Sequence, residues 1–282
     1  MRRRDVPTIG RWLAPAAFPA LSGCAAIRLG AMNAAGPIAD AQRHVYFVLA
    51  VVLIFVAGPV LLLTPLIAWH YRLSNKQNHF RPDWNFSWLL EALIWLPPAG
   101  IVIGLSFLLW NSTHQLDPYK PVAGVQPALE IEAVALDWKW LFIYPNQHIA
   151  TINQLVIPAG RPVKISLTSA TVMQSMLIPQ LAGQIYAMAG MRTELNLAAS
   201  HPGIYRGENA QYNGSGFSRE KFDVVALPPG DYQAWVARVH AARPFDQAAY
   251  VQLFAKTTPP QPIFYSNAPE GLFRQILTRD QP

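Results

Sequence analysis

The sequence predicts a membrane-anchored all-β protein: a two-helix transmembrane hairpin, a β-sandwich beyond it, and a small C-terminal helical arm. Three observations predict this. Two runs, 45–69 and 89–110, carry almost no charge over a length that crosses a bilayer as a helix. From 128 to 227 the pattern changes to short apolar runs divided by turn residues, the signature of many short strands. From 228 to 282, three amphipathic stretches stand between proline-rich links. Composition points the same way, because 52% of the 282 residues are hydrophobic and only 13% are charged, far below the charged share of an ordinary soluble domain.

The first 23 residues read as an export signal. MRRRDVPTIGR is a basic start, WLAPAAFPAL a short apolar run, and LSGC closes the segment at 21–24. Leu-Ser-Gly-Cys resembles the bacterial lipobox, and that resemblance implies cleavage before Cys24 and lipidation of its thiol. The plainer alternative is a buried free thiol. As the sole cysteine, Cys24 excludes an internal disulfide framework and any centre that needs two thiolates. The signal also holds Arg2, Arg3, Arg4 and Arg11 against Asp5. Without it, 22 basic and 16 acidic side chains fall to 18 and 15, and the net charge of +6 falls to +3. No basic run interleaved with aromatics remains, so nucleic acid is not an expected partner.

Residues 24–44 form an external segment, 45–69 the first span, 70–88 a short loop, 89–110 the second span and 111–127 a linker. Pro59 and Pro65 would break a soluble helix but are tolerated in a span. The loop sets Arg72, Lys76 and Arg81 against Asp83, which makes it cytoplasmic by the positive-inside rule. The start of the mature chain and everything after Trp110 are then expected outside the membrane. Glu91 is the one charge in the second span. It reads either as a first-turn acid favoured by the helix dipole or as a proton entrance, since ionisable groups inside spans mark proton routes.

Within 128–227, LEIEAVA alternates, and the phase then slips near Asp137, so a bulge or strand break is expected there. WKWLFIY would place Trp138, Trp140, Phe142 and Tyr144 on one face. LVI and VKISLT flank the turn PAGRP, and SMLIP, QIYAM, MRTELNL, GIY and KFDVVA supply further strands. YRGENAQYNGSGFSREKF, 205–222, is the longest irregular polar stretch of this half. The arm is read as helices over YQAWVARVHAAR, DQAAYVQLFAK and EGLFRQILTRD, folding back on the sandwich.

Two spans, an external sandwich, DWKWLFIYP after the second span and PGIYRG leading into a long loop resemble subunit II of the haem-copper terminal oxidases. The resemblance covers nearly the whole mature chain and implies a cupredoxin-like sandwich. In members that oxidise cytochrome c, the sandwich holds a two-copper centre ligated by a histidine after a TS-x-x-V turn and by a C-S-E-x-C-G-x-x-H-x-x-M loop. Here TSATVMQSM puts Gln174 at the first histidine position. In GENAQYNGSGFSRE the cysteine positions fall at Asn209 and Asn213, the loop acid at Gln211, the second histidine at Phe217 and the methionine at Glu220. Amides and a phenyl ring do not replace bridging thiolates and imidazoles. That pattern, with QIYAMAGM and Y-x-G-x-G-F-S, is similar to the quinol oxidase branch, of the cytochrome bo type.

The resemblance implies a subunit of a proton-pumping ubiquinol oxidase in a bacterial inner membrane, with no metal bound by this chain. Haems and copper are expected in subunit I, the partners are subunit I and the smaller subunits, and ubiquinol is the substrate of the complex. LEALIW matches the start of the second span in relatives, where a glutamate stands at a proton channel into subunit I, which implies the same role for Glu91. Met173, Met176, Met188 and Met191 are read as packing rather than a Cu(I) site. Trp138 and Trp140 are read as structural aromatics against the core or subunit I. Two other readings stay open: a free-standing lipoprotein whose sandwich binds a ligand, and a copper-carrying cytochrome c oxidase subunit, which would need the missing cysteine pair.

Overall fold

The computed structural model describes residue 30 and residues 32–72, 74–75 and 83–279. The expected export signal, Cys24, and Lys76 and Arg81 of the loop lie outside the described residues. The chain divides into two units, residues 42–117 and a second made of 118–282 with the segment up to 41.

The first unit is the helical pair. Helix α1 runs Pro37–His70 and α2 runs Trp88–Gln115, 34 and 28 residues. Both exceed the roughly 20 residues that a bilayer core requires. Each starts or continues beyond the uncharged stretch that marks it in the sequence. Pro37 supplies a preset first helical residue for α1, and α2 continues through the polar Asn111–Gln115 because nothing there breaks it. Pro59, Pro65, Pro97 and Pro98 all sit inside helix. The apolar side chains point outward along both helices, Leu53, Ile54, Leu61, Leu89 and Trp95 among them.

The second unit is a two-sheet sandwich. In the first sheet the order is β11-β3-β2-β1-β5-β8, and in the second β4-β10-β9-β6-β7. The strands are β1 Leu129–Leu136, β2 Lys139–Tyr144, β3 Ile149–Ile152, β4 Gln154–Pro158, β5 Val163–Ser169, β6 Gln174–Leu177, β7 Gln184–Ala187, β8 Thr193–Leu197, β9 Gly203–Asn209, β10 Lys221–Leu227 and β11 Ile263–Tyr265. Most neighbours are antiparallel, but β1 and β5 pair parallel, as do β4 and β10. Between the sheets lies one core, with Trp140, Phe142, Tyr144, Leu155, Ile165, Met176, Phe222 and Val224 at its centre.

The phase slip near Asp137 is a strand break. Leu136 pairs with Lys139 across a two-residue turn, and Trp138 takes a left-handed backbone, φ 62°. Trp138 therefore leaves the face expected for it. Trp140, Phe142 and Tyr144 enter the inter-sheet core, while Leu141 and Ile143 on the opposite face join a second core. The polar stretch 205–222 is also shorter than its composition suggests. Residues 205–209 lie in β9 and 221–222 in β10, which leaves 210–220 as the loop, with a 3-10 turn at Phe217–Arg219.

Two strands escape the sequence pattern. β3 and β4 are separated by Asn153 alone, which adopts φ 60° and carries the chain from one sheet to the other. Its Oδ1 accepts from Trp140 N at 2.9 Å, and its N–H donates to Trp140 O at 2.9 Å, so the pivot is held from both sides. β11 adds to the outer edge of β3.

The arm consists of α3 Pro229–His240, α4 Gln247–Leu253, β11 and α5 Leu272–Leu277, each helix shorter than or shifted from its sequence-level stretch. It does fold back on the sandwich. Tyr232, Trp235 and Val239 of α3 complete the inter-sheet core. Phe245, Ala249, Leu253, Leu272, Phe273 and Ile276 bury the outer face of β1–β3. Lys139 is buried here, and its Nζ donates to Ala255 O and Thr257 Oγ1 of the arm.

The segment ahead of α1 is part of this unit. Ala35 N donates to Gln180 O at 2.7 Å, Ala35 O accepts from Ser200 N at 2.8 Å, and Gln180 Nε2 reaches Asn33 O at 3.2 Å. Gly36 lies so close to Ala198 that an added Cβ would stand 2.3 Å from its carbonyl oxygen.

Candidate functional site

The six positions that match the copper-ligand pattern lie at one end of the sandwich, on β6, β9 and the 210–220 loop. Pairing sets the frame, since β6 runs antiparallel to β9 with Met176 opposite Asn209. Gln174 at the start of β6 and Asn209 at the end of β9 are thereby neighbours, and both are buried. Gln174 Nε2 donates to Leu136 O at 2.9 Å and to Thr171 Oγ1 at 3.2 Å, so its amide ties the site to the β1–β2 turn.

Asn209 is the hub. Its Oδ1 accepts from Ser175 N at 3.0 Å and Gln211 N at 2.9 Å, and its Nδ2 donates to Glu220 Oε2 at 3.0 Å and Gln174 Oε1 at 3.4 Å. Asn213 Nδ2 donates to the same Glu220 oxygen at 2.6 Å. Four of the six positions, Gln174, Asn209, Asn213 and Glu220, are thus one connected network. Gln211 joins it through its backbone N–H. Phe217 turns away and meets Tyr212 edge-on, ring centres 5.6 Å apart.

Glu220 carries the electrostatic interest. It is 1% exposed. Desolvation pushes its carboxyl up to about 7, helped by the nearby Asp137 carboxylate and opposed by the hydrogen bonds from Asn209 and Asn213. Among the described residues, its second oxygen, Oε1, has no hydrogen-bond partner, and neither has Asn213 Oδ1.

Trp138 forms the wall of the loop, a role the strand alternation hides. Its Nε1 donates to Asn213 O at 3.4 Å, and the indole lies against Gly214 and Gly216. A Cβ on Gly216 would fall 2.1 Å from the ring, so only glycine admits this contact. Gly214, at φ 116°, makes the turn that brings Asn213 inward.

Three carboxamides and one carboxyl, with no thiolate, imidazole or thioether, do not fit a two-copper centre. The amide nitrogens already donate within the network. Among the described residues no cluster of three or more His, Cys, Asp or Glu side chains is placed to hold a metal ion. Met176 is buried in the sandwich core, while Met173 and Met191 are exposed. Glu91 stands in the first turn of α2, and Trp95 Nε1, one turn on, donates to its Oε2 at 3.1 Å, a contact that the i, i+4 spacing permits.

Residues 128–225 match the family model described as cytochrome c oxidase subunit II, periplasmic domain. The chain is also 40% identical over 270 residues to cytochrome bo(3) ubiquinol oxidase subunit 2 of Pseudomonas aeruginosa, covering 95% of this chain and 81% of that one. This chain belongs to the ubiquinol oxidase subunit 2 family. Two further members of the ubiquinol oxidase subunit 2 family are similar. The Pseudomonas putida protein is 41% identical over 261 residues (92% of this chain, 82% of that one). Ubiquinol oxidase subunit 2 of Acetobacter aceti is 41% identical over 263 residues (92% and 84%). Among solved structures, the periplasmic domain of subunit II of cytochrome oxidase from Bradyrhizobium japonicum is similar at 20% identity and a TM-score of 0.39, over 40% of this chain and 95% of that one.

Proposed function

We propose that this chain is the metal-free structural subunit of a proton-translocating ubiquinol oxidase, in which quinol oxidation and oxygen reduction take place on the haems and copper of subunit I. The observation that carries the reading is the filled cradle. Four of the six side chains at the ligand positions, Gln174, Asn209, Asn213 and Glu220, hydrogen-bond to one another and to the surrounding backbone, which makes a polar plug with no thiolate, imidazole or thioether for a redox relay. Electrons then have no station in this domain, and the contribution of the chain is packing surface from its two helices and a folded cap outside the membrane.

The N-terminal strap supports the topology. Residues 33–35 bond to the domain that follows α2, which supports reading both on one side of the bilayer. Two crossings between them satisfy this, and the basic loop between the helices then faces the cytoplasm. A lipid on Cys24 would sit on the same outer side as the strap, as a secondary anchor beside the two spans.

Extraction in mild detergent with a tag on this chain tests the proposal. A haem-bearing large subunit should travel with it, and the visible spectrum should be reduced by quinol. Metal analysis should find no copper beyond that of the large subunit. A colourless single chain would favour a free-standing lipoprotein, and two extra copper equivalents a cytochrome c oxidase subunit.

A further inference from the structure

Glu220 leaves two acceptors stranded in one buried cradle. Its Oε2 takes both amide donors, Asn209 Nδ2 and Asn213 Nδ2, while its Oε1 and Asn213 Oδ1 have no partner among the described residues. Buried acceptors facing no donor are costly. A planar acid and a planar amide joined at one pair of atoms form a complementary pair when the acid carries its hydrogen, because the O–H can then donate to the amide oxygen.

We infer that Glu220 is a proton-binding site: in this chain the cradle holds one exchangeable proton on Glu220 Oε1, shared with Asn213 Oδ1, and its loss loosens the 210–220 loop. The inference concerns the loop alone and holds whatever large subunit the chain accompanies.

The surroundings favour the neutral acid. The β1–β2 turn contributes Asp137, whose negative charge opposes ionisation of Glu220. β6 contributes Gln174 and β9 contributes Asn209, both uncharged. Arg219 and Lys221 flank Glu220 in the chain but are exposed, and Lys221 stands opposite Glu208 in the β9–β10 register. None of these supplies a cation to the buried oxygen among the described contacts. Burial in these surroundings pushes the carboxyl up to about 7.

The sign follows from linkage. The folded carboxyl binds its proton more tightly than the unfolded one, whose ordinary value is 4.5. Stability from this group is therefore complete below about pH 4.5 and is lost as the pH rises through about 7. Glu132, half-buried and also raised by desolvation, acts in the same direction, so a comparison of variants is needed.

The test uses the full chain in detergent, as wild type and as Glu220→Gln, whose amide mimics the protonated acid. Wild type should lose melting temperature from pH 4.5 to 7.5 relative to Glu220→Gln, whose own fall over that range should be shallower. Infrared spectra with 13C-labelled glutamate, in a Glu132→Gln background, should show a protonated carboxyl band that titrates near pH 7. That band should vanish in Glu220→Gln. If Glu220→Gln does not fold, the band in the Glu132→Gln chain decides alone. Absence of a protonated band at pH 6, or a difference between wild type and Glu220→Gln that does not change with pH, overturns the inference. So does a stoichiometric bound cation that keeps the carboxyl ionised.

Discussion

Tyr144 shows how much one hydroxyl does in this fold. The side chain is fully buried in the inter-sheet core, and its Oη donates to Val156 O at 3.0 Å and accepts from Val156 N at 2.7 Å. Val156 lies on β4, an edge strand whose other side pairs with β10. The phenol therefore satisfies the backbone groups that a neighbouring strand would otherwise take, and it links the two sheets. Burial pushes it well above the ordinary phenol value, so it stays neutral at every physiological pH. Tyr144→Phe keeps the ring but strands one buried N–H and one C=O. The expected cost is about 2–4 kcal/mol, read as a lower denaturant midpoint at unchanged slope. A midpoint equal to wild type would mean that water reaches Val156. Residue types at such places were legible in the sequence, as were the amides at the positions that match the copper-ligand pattern. Their partners were not, because Trp138 reaches the loop only through its left-handed turn, which alternation read as one more position in a strand.

Among the elements, the N-terminal strap is the least expected. Nothing in the composition of 30–41 marks it as part of a β-domain, yet Ala35 is bonded on both sides, to Gln180 and to Ser200. Its seat depends on Gly36, where a methyl group would meet backbone, the Ala198 carbonyl, rather than a side chain able to move. Gly36→Ala should therefore release the strap at a cost of about 1–3 kcal/mol. Hydrogen exchange at the Ala35 and Ser200 amides should accelerate while the amides of β1 and β2 stay protected, and unchanged exchange at Ala35 would refute the account. Elements with enough residues to express a period or a long apolar run were readable, among them the two long helices, β1, β2, β5 and β10. β3 and β11, of 4 and 3 residues, are too short to alternate visibly. The single-residue pivot at Asn153 also hides the boundary between β3 and β4.

At the scale of the whole molecule, hydropathy alone separates the helical pair from the rest, and the family resemblance accounts for the sandwich. What the sequence could not express is that the first sheet is buried twice, by the second sheet on one face and by the arm on the other. Both faces of β2 are apolar, and a continuous apolar run does not say which neighbour covers which side. For the helical pair, we propose that Glu91 passes protons toward the large subunit. Glu91→Gln removes the ionisable group and keeps the hydrogen bond from Trp95 available. Turnover of the purified complex should fall at least severalfold with subunit content unchanged, whereas wild-type turnover would leave Glu91 a helix-end charge. The strap has a further consequence for biogenesis. Asn33 leaves the ribosome long before its partner Gln180, 147 positions on, and both spans are made in between. The seam can therefore close only late in synthesis, once both helices and the chain as far as Gln180 and Ser200 have been made, so any fragment that stops short of these residues leaves the strap without its seat.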